Sequence, residues 1–151
     1  MSQIVIDAID RKILKYLITN ARMPFLEIAR KCGISGAAIH QRIKKLDESG
    51  VILGSRLVVD PKMLGFDVCA YIGIRLQDVS ILMQTVDRLK QIPEIVECHF
   101  ITGTYNLFVK LYCVDNEHLM TTLCDRILAI PGISTTQTYI SLNLSLIHIS
   151  E

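Results

Sequence analysis

Residues 26–46 most constrain the fold, because they have the pattern of two short helices joined by a tight corner. Ile28 and Ala29 give the first of these helices an apolar contact face. Gly33 supplies the residue that can adopt the positive φ of a sharp corner. Ser35 is a favourable N-cap for the second helix. The stretch therefore predicts a helix-turn-helix unit.

The second helix of this unit has two different sides. Ile39, Ile43 and Leu46 fall on one side at helical spacing. The other side carries small, hydrogen-bonding and cationic residues, namely Gly36, Ala37, His40, Gln41 and Lys44. Small residues let a helix approach a DNA duplex, and polar ones reach base edges. Spacing alone leaves two readings open, a DNA-reading helix and an ordinary helical hairpin with a solvated basic face.

The charge of the chain is divided between its two parts. Residues 1–60 carry ten lysines and arginines against six acidic residues, a net charge of +4. Residues 61–151 carry six against nine, a net charge of −3. A basic N-terminal part joined to an acidic remainder favours a nucleic-acid-binding module linked to a second function. A module this weakly basic needs a second copy to bind DNA tightly.

Several classes of protein are disfavoured by composition. No apolar run approaches the ~20 residues that span a bilayer, and the N-terminus lacks the basic region of a secretion signal, so we expect a cytoplasmic protein that does not enter membranes. The five cysteines are scattered and form no CxxC, which predicts reduced, mostly buried thiols. We expect neither a metal site nor a cofactor.

The N-terminal part has the pattern of a winged three-helix unit. The first helix is predicted from Ile6 or Asp7 to Asn20, with Asp7 as its cap. Pro24 suits the first turn of the next helix, and Gly50 ends the third. Residues 51–54 and 56–59 then suggest a small hairpin, the wing. The resulting boundaries are a DNA-binding domain over residues 1–59 and a linker over residues 60–67.

Beyond the linker, over residues 68–151, the apolar period changes from 3.6 to 2. Alternation predicts strands over 68–76, 95–101, 107–113 and 140–146, with helices between the first and second and between the third and fourth. The order is βαββαβ, a ferredoxin-like arrangement, so the fold class is α+β. One face of such a sheet has no helices over it. Because Cys69, Tyr71 and Gly73 do not suit a solvated surface, we expect a homodimer through this domain, by sheet-face packing or by edge pairing.

The chain contains no motif for catalysis or phosphate binding, so we expect no enzyme. Two polar stretches of the second half stand out, one over residues 103–106 and one over residues 135–138. Backbone amides at a turn and threonine hydroxyls can hold a small carboxylate. The alternative is structural, since turns favour Gly and Asn and strands favour Thr.

Taken together, the chain resembles the Lrp/AsnC family of transcription regulators over nearly its whole length. The residues that carry the resemblance are Ile9–Leu14, Glu27–Ala29, Cys32–Ser35, Arg42–Leu46, Ser49–Ile52, Asp60–Pro61, Leu64–Gly65, Thr102–Asn106, Pro131–Ile133 and Thr136–Thr138. Any single piece is weak, but the joint pattern at this spacing is highly specific.

The resemblance implies a winged helix-turn-helix domain followed by an effector-sensing domain that also forms oligomers. It implies double-stranded DNA as a partner, an amino acid as effector, and homodimers that assemble further, often to octamers. Matching positions of the recognition helix are Ser35, Ala37, Ala38, His40, Gln41, Arg42, Lys44 and Lys45. Matching positions of the effector loops are Gly103, Thr104, Tyr105, Asn106, Thr136, Gln137 and Thr138.

One position departs from many family members, which have Asp where this chain has Asn106. An Asp could pair with the ammonium of an amino acid, whereas Asn offers only dipoles. The asparagine-responsive branch also lacks Asp there, and residues 38–40 and 64–68 look most like that branch. The resemblance therefore makes asparagine the first candidate effector. The alternative function is an oligomeric amino-acid-sensing protein without DNA binding, against which the intact basic stretch 42–45 argues.

Overall fold

A computed structural model describes residues 4–142 of the chain, which forms two compact units that divide between Val58 and Val59. The first unit is helical. Its elements are α1 (Ala8–Thr19), α2 (Phe25–Cys32) and α3 (Gly36–Glu48). This confirms the predicted helix-turn-helix unit.

Local capping explains where these helices begin and turn. Asp7 caps α1 by accepting the N–H of Asp10 at 2.8 Å, while the Asp10 carboxylate accepts the N–H of Asp7 at 3.2 Å. Gly33 ends α2 in the left-handed region, at φ 67°. The Ser35 hydroxyl accepts the N–H of Ala38 at 3.1 Å and so starts α3. Pro24 lies at the N-cap of α2 rather than in its first turn.

The core of the helical unit is small. Ile13 of α1, Ile28 and Ala29 of α2 and Ile39 of α3 are buried together. Each belongs to the apolar stripe of an amphipathic helix, so three stripes close around one centre. Leu46, near the end of α3, is also fully buried.

The predicted hairpin over residues 51–59 is wrong, because these residues form neither strand nor helix. Leu53 is 97% exposed and Val58 is 84% exposed, so the apolar side chains of the predicted strands are largely without packing. An isolated two-stranded hairpin is only marginally stable without such packing. Within the predicted linker, Pro61–Leu64 forms one 3₁₀ turn, capped by the Asp60 carboxylate.

The second unit is a four-stranded antiparallel sheet with helices on one face. Its strands are β1 (Val68–Leu76), β2 (Ile95–Phe100), β3 (Leu107–Cys113) and β4 (Ile133–Ser141). They lie in the order β2-β3-β1-β4. Between them run α4 (Leu82–Leu89) and α5 (Asn116–Thr121), and α5 continues as a π-helical segment over Thr122–Ile127. This confirms the βαββαβ order and the α+β class.

The core of the sheet unit is apolar. Ile72 of β1 and Val109 and Leu111 of β3 are fully buried, and they face Leu89 of α4 and Ile127 of the π segment. Burial alternates strictly along β3, as expected for a strand with one covered face.

The last strand begins earlier than predicted. β4 pairs with β1 from Ile133 opposite Leu76 to Ser141 opposite Cys69. The polar run over residues 135–138 therefore lies inside the strand and does not lead into it. Thr has a high strand preference, and a long partner strand completes its hydrogen bonds. Residues 143–146 of the predicted strand lie outside the described residues.

The predictions about membranes, metals and cysteines can be compared with the described part of the chain. No helix among residues 4–142 is long and apolar enough to cross a membrane. The same residues hold no group of three or more His, Cys, Asp or Glu side chains placed to bind a metal. The five cysteines are free, but only Cys113 is buried, whereas Cys124 is exposed and the others are half-buried. The expectation of mostly buried thiols is therefore wrong.

Candidate nucleic-acid interface and effector site

The outward face of α3 carries the side chains that its spacing predicts. Ala37, Gln41 and Lys44 are exposed, while Ile39 on the inner side is fully buried. His40 is exposed at the edge of this face, and its ring contacts Phe25 of α2 edge-on, with ring centroids 5.4 Å apart. A small residue followed by an amide and a cation thus forms a stripe suited to a DNA groove.

Close packing positions the beginning of α3. A Cβ atom at Gly36 would lie 3.0 Å from Cδ2 of Leu26 in α2, so the Leu26 side chain would have to move to accommodate a larger residue. Ser35 is exposed beside it, and Ala38 on the next turn is half-buried. The first turn of α3 therefore lies close to α2 at Gly36 and is capped within its own chain segment by Ser35.

Two predicted DNA contacts instead reach across to α1. Nη1 of Arg42 lies 2.7 Å from Oδ2 of Asp7 and 3.0 Å from Oδ1 of Asp10. Nζ of Lys45 lies 3.0 Å from Oδ2 of Asp10. Asp10 is fully buried, so both cations partner a carboxylate that water cannot reach. Arg42 and Lys45 thus have a role between helices that their position in the motif does not predict.

The acid–base properties follow from this pairing. The hydrogen bond from Arg42 lowers the pKa of Asp7 to about 2. Burial alone would raise the pKa of Asp10, but hydrogen bonds from Lys45 and Arg42 outweigh it and lower that pKa. The pKa of Arg42 is raised, chiefly by Asp7. Asp7, Asp10 and Arg42 are therefore charged at neutral pH.

The candidate effector site lies around the loop between β2 and β3. The ring of Tyr105 covers Gly73 of β1, where a Cβ atom would come within 2.6 to 3.0 Å of three ring carbons. The Tyr105 hydroxyl donates a hydrogen bond to Oε1 of Gln137 on β4. Gly73 is thus the residue that allows the loop to lie against the open face of the sheet, the face without helices. Sequence spacing alone did not assign it this role.

Asn106 has a structural role in the same loop. Its backbone N–H donates to the Ile74 carbonyl at 2.9 Å, and its side-chain Oδ1 accepts the Leu76 N–H at 2.8 Å. The pairing of β1 with β4 shifts register between Arg75 and Leu76, and Asn106 supplies an acceptor there. Its side-chain oxygen therefore has a structural partner, while the amide NH₂ can donate to a ligand.

The predicted effector residues do not all share one face. Gln137 lies opposite Gly73 on the open face, but Thr136 and Thr138 lie opposite Ile74 and Ile72, whose side chains point into the core. Gly103 and Thr104 are exposed at the tip of the loop. The structure therefore brings Tyr105 and Gln137 together and places the two threonines on the other side of β4.

Aromatic side chains line the open face. The rings of Tyr71 and Phe108 stack with centroids 5.9 Å apart, and Tyr139 is 6.3 Å from Phe108. Nζ of Lys110 lies 5.9 Å from the Tyr71 ring centroid and 5.4 Å from that of Tyr112. This surface is a candidate contact for a second copy of the chain.

Comparison with known proteins matches each of the two units to a family model. Residues 6–47 match the AsnC-type helix-turn-helix domain, and residues 69–146 match the Lrp/AsnC ligand binding domain. The regulatory protein AsnC of Escherichia coli strain K12 is 37% identical over 142 residues, which are 94% of this chain and 93% of the relative. The protein of the same name from Haemophilus influenzae is 36% identical over 137 residues, 91% of each chain. A solved structure of E. coli AsnC has a TM-score of 0.90 and 35% identity, and the match covers 97% of this chain and 99% of that one.

Proposed function

Because this chain belongs to the Lrp/AsnC family, we propose that it is a DNA-binding transcription regulator that responds to an amino acid. The observation that carries the proposal is the outward stripe of α3, with Ala37, Gln41 and Lys44 exposed over a buried Ile39. Residues 1–59 bind DNA, 60–67 link, and 68–151 sense the effector and form the oligomer. The relatives are named as regulatory proteins, and we propose no catalytic role and a cytoplasmic location.

The DNA-binding part is tested by placing a negative charge in the stripe. Ala37→Glu puts a carboxylate where the helix would approach phosphates, so affinity for a labelled random-sequence duplex should fall by at least about tenfold. The matched control is Ala21→Glu, which makes the same change at an exposed position between α1 and α2. Equal affinity for wild type and Ala37→Glu would contradict the proposed interface.

Salt dependence separates DNA binding from the alternative function. Each phosphate contact releases counterions, so the logarithm of affinity should fall linearly with the logarithm of salt concentration. No binding to the duplex at any salt concentration would favour an oligomeric amino-acid sensor that does not bind DNA.

We propose asparagine as the effector, bound near Tyr105, Gln137 and the amide NH₂ of Asn106. A ligand that binds only the folded protein raises its stability, by about 2.7 kcal/mol at 100 times Kd. Asparagine should therefore raise the Tm most in a thermal screen of the common amino acids. Gln137→Leu removes the partner of the Tyr105 hydroxyl and should reduce the shift, whereas Gln84→Leu, on the exposed side of α4, should keep it. No shift with any amino acid would contradict the effector proposal.

We propose that the open face of the sheet is the homodimer contact and that dimers assemble further, to an octamer. Support comes from the aromatic row formed by Tyr71, Phe108 and Tyr139 on a face without helices. The double substitution Tyr71→Glu and Tyr139→Glu should give monomers in sedimentation velocity, whereas the wild type should not. A wild-type chain that stays monomeric at high concentration would overturn this assembly.

A further inference from the structure

Two neighbouring lysines of α3 have different surroundings. The Lys44 side chain is 76% exposed, and its partner Glu48, one turn later, is 3.8 Å away and equally open to water. The Lys45 side chain is 44% exposed, and its Nζ lies 3.0 Å from the buried Oδ2 of Asp10. Exposed pairs within one helix are weak and screened by salt. Lys44 is therefore available to an incoming anion, whereas Lys45 has a strong partner already.

The Asp10 carboxylate accepts hydrogen bonds from groups of two helices. It accepts the Asp7 N–H from α1 and the cations of Arg42 and Lys45 from α3. A DNA phosphate that recruited either cation would remove one of the two counterions of a buried carboxylate, which is costly. Arg42 has a second acidic partner, since its Nη1 also donates to both carboxylate oxygens of Asp7.

The positions of the three cations around the axis of α3 also separate Lys44 from Arg42 and Lys45. At about 100° per residue, Lys44 falls beside Ala37 and Gln41 on the outward stripe, whereas Arg42 falls next to the buried Ile39 and Leu46. Lys45 lies at the border between the two sides.

Resting on the proposed DNA binding, we infer that Asp10 is a positioning residue that holds Arg42 and Lys45 against α1. Lys44 is then the cation of α3 that contacts DNA phosphate. This arrangement sets the rotation of α3 about its axis. It also limits the sequence-independent attraction of the helix for DNA, because two of its three cations are neutralised within the protein.

The two lysines provide a matched test. Lys44→Gln and Lys45→Gln remove the same charge from adjacent positions, so net charge cannot distinguish them. We would measure the affinity of each full-length variant for a fluorescein-labelled random-sequence duplex over a salt series, together with its Tm. Lys44→Gln should reduce the slope of log affinity against log salt by about 0.9 per bound protomer and leave the Tm unchanged. Lys45→Gln should leave the slope unchanged and lower the Tm.

Asp10→Asn tests the holding role directly. It preserves the shape of the side chain but releases the two cations, so the slope should become steeper by about 0.9 for each cation that reaches a phosphate. In the double variant Asp10→Asn with Lys45→Gln, the slope should increase less than in Asp10→Asn alone. If Asp10→Asn does not fold, the two lysine variants still decide the assignment.

The outcomes separate this inference from the proposed function. Equal slopes for Lys44→Gln and Lys45→Gln, or a folded Asp10→Asn protein with the wild-type slope, would overturn the inference while DNA binding stands. A wild-type protein that does not bind the duplex would overturn both.

Discussion

The helical unit and the sheet unit hold themselves together by different means. Within residues 4–142, four hydrophobic residues form the buried cluster of the helical unit, whereas thirteen form that of the sheet unit. The helical unit adds a fully buried carboxylate, Asp10, which is bound by cations from another helix. The buried polar groups of the sheet unit are the Thr85 and Thr122 hydroxyls, which donate to carbonyls four residues earlier in their own helices.

The two units therefore differ in how far their folded structure depends on charged groups. In the sheet unit Glu94 pairs with Arg126 and hydrogen-bonds the His118 ring, but these side chains are partly exposed and lie outside the buried cluster. In the helical unit the ion pairs join α1 to the helix that is proposed to read DNA. A small apolar core therefore makes the orientation of that helix depend on electrostatics.

The largest expected effect is a cavity in the sheet unit. Leu111→Ala removes a fully buried side chain from the centre of β3 and should reduce the free energy of unfolding by about 2–5 kcal/mol. Urea denaturation of the full chain measures this loss, and hydrogen exchange should assign it to peptides of the sheet. Leu128→Ala, at a position 44% exposed, is the control and should cost much less.

A smaller loss is expected when the buried charge is removed from the helical unit. Asp10→Ala removes the acceptor of Arg42 and Lys45, which remain able to reach water, and should cost about 2–3 kcal/mol. Hydrogen exchange should accelerate in α1 and α3 while the sheet stays protected. Full retention of stability would mean that the four apolar residues suffice, and the contrast between the units would then fail.

Gly73→Ala should have a still smaller effect. The added methyl group would lie within 2.6 to 3.0 Å of the Tyr105 ring carbons, so the ring must move or the strand must shift, at about 1–2 kcal/mol. Because the clash is with one side chain, Gly73→Ala combined with Tyr105→Ala should cost less than the sum of the two single changes. Additive losses in urea denaturation would show that the ring does not meet this position.

The smallest expected effect is a loss of stability of the helical unit at acidic pH. The folded pKa of Asp7 is about 2 and that of Asp10 is also lowered, so both groups stabilise the fold at pH values above the unfolded carboxyl pKa. That contribution should be lost as the pH falls from about 4 towards 2. Protection of α1 and α3 in hydrogen exchange should therefore fall over this range, and Asp7→Asn should flatten the decline. Asp47→Asn, at an exposed position of α3, is the control and should keep the wild-type profile.

Most of the helices and strands could be predicted from the spacing of apolar residues. A helix or strand that is covered on one face has apolar residues at regular intervals, and this pattern is visible within a short stretch of sequence. The pairing of Asp10 with Arg42 and Lys45 could not be predicted in this way, since 32 and 35 residues separate the partners. One signal was present: Asp10 precedes Ile13 and Leu17 by three and seven residues, so it stands on the apolar stripe of α1.

The start of β4 and the role of Asn106 also depend on contacts between distant residues, which local sequence patterns do not contain. β4 starts at Ile133 because β1 is available as a partner over its whole length, a fact that no local pattern contains. The resemblance predicts Asn106 as an effector contact, but its side-chain oxygen accepts the Leu76 N–H beside the register shift of β1. The wing hairpin was predicted from apolar residues that the single chain leaves uncovered.

The π-helical segment Thr122–Ile127 has a consequence for changes in chain length. Its hydrogen bonds skip one more residue than those of an α-helix, as in the 2.8 Å bond from the Leu128 N–H to the Leu123 carbonyl. Deleting one residue here would let the segment tighten into an α-helix, with Ile127 and Ile130 still directed inward. The same deletion in α3 would turn every later side chain by about 100° and carry Leu46 out of the core. A one-residue deletion should thus be tolerated in the π-helical segment of the sheet unit and be disruptive in α3.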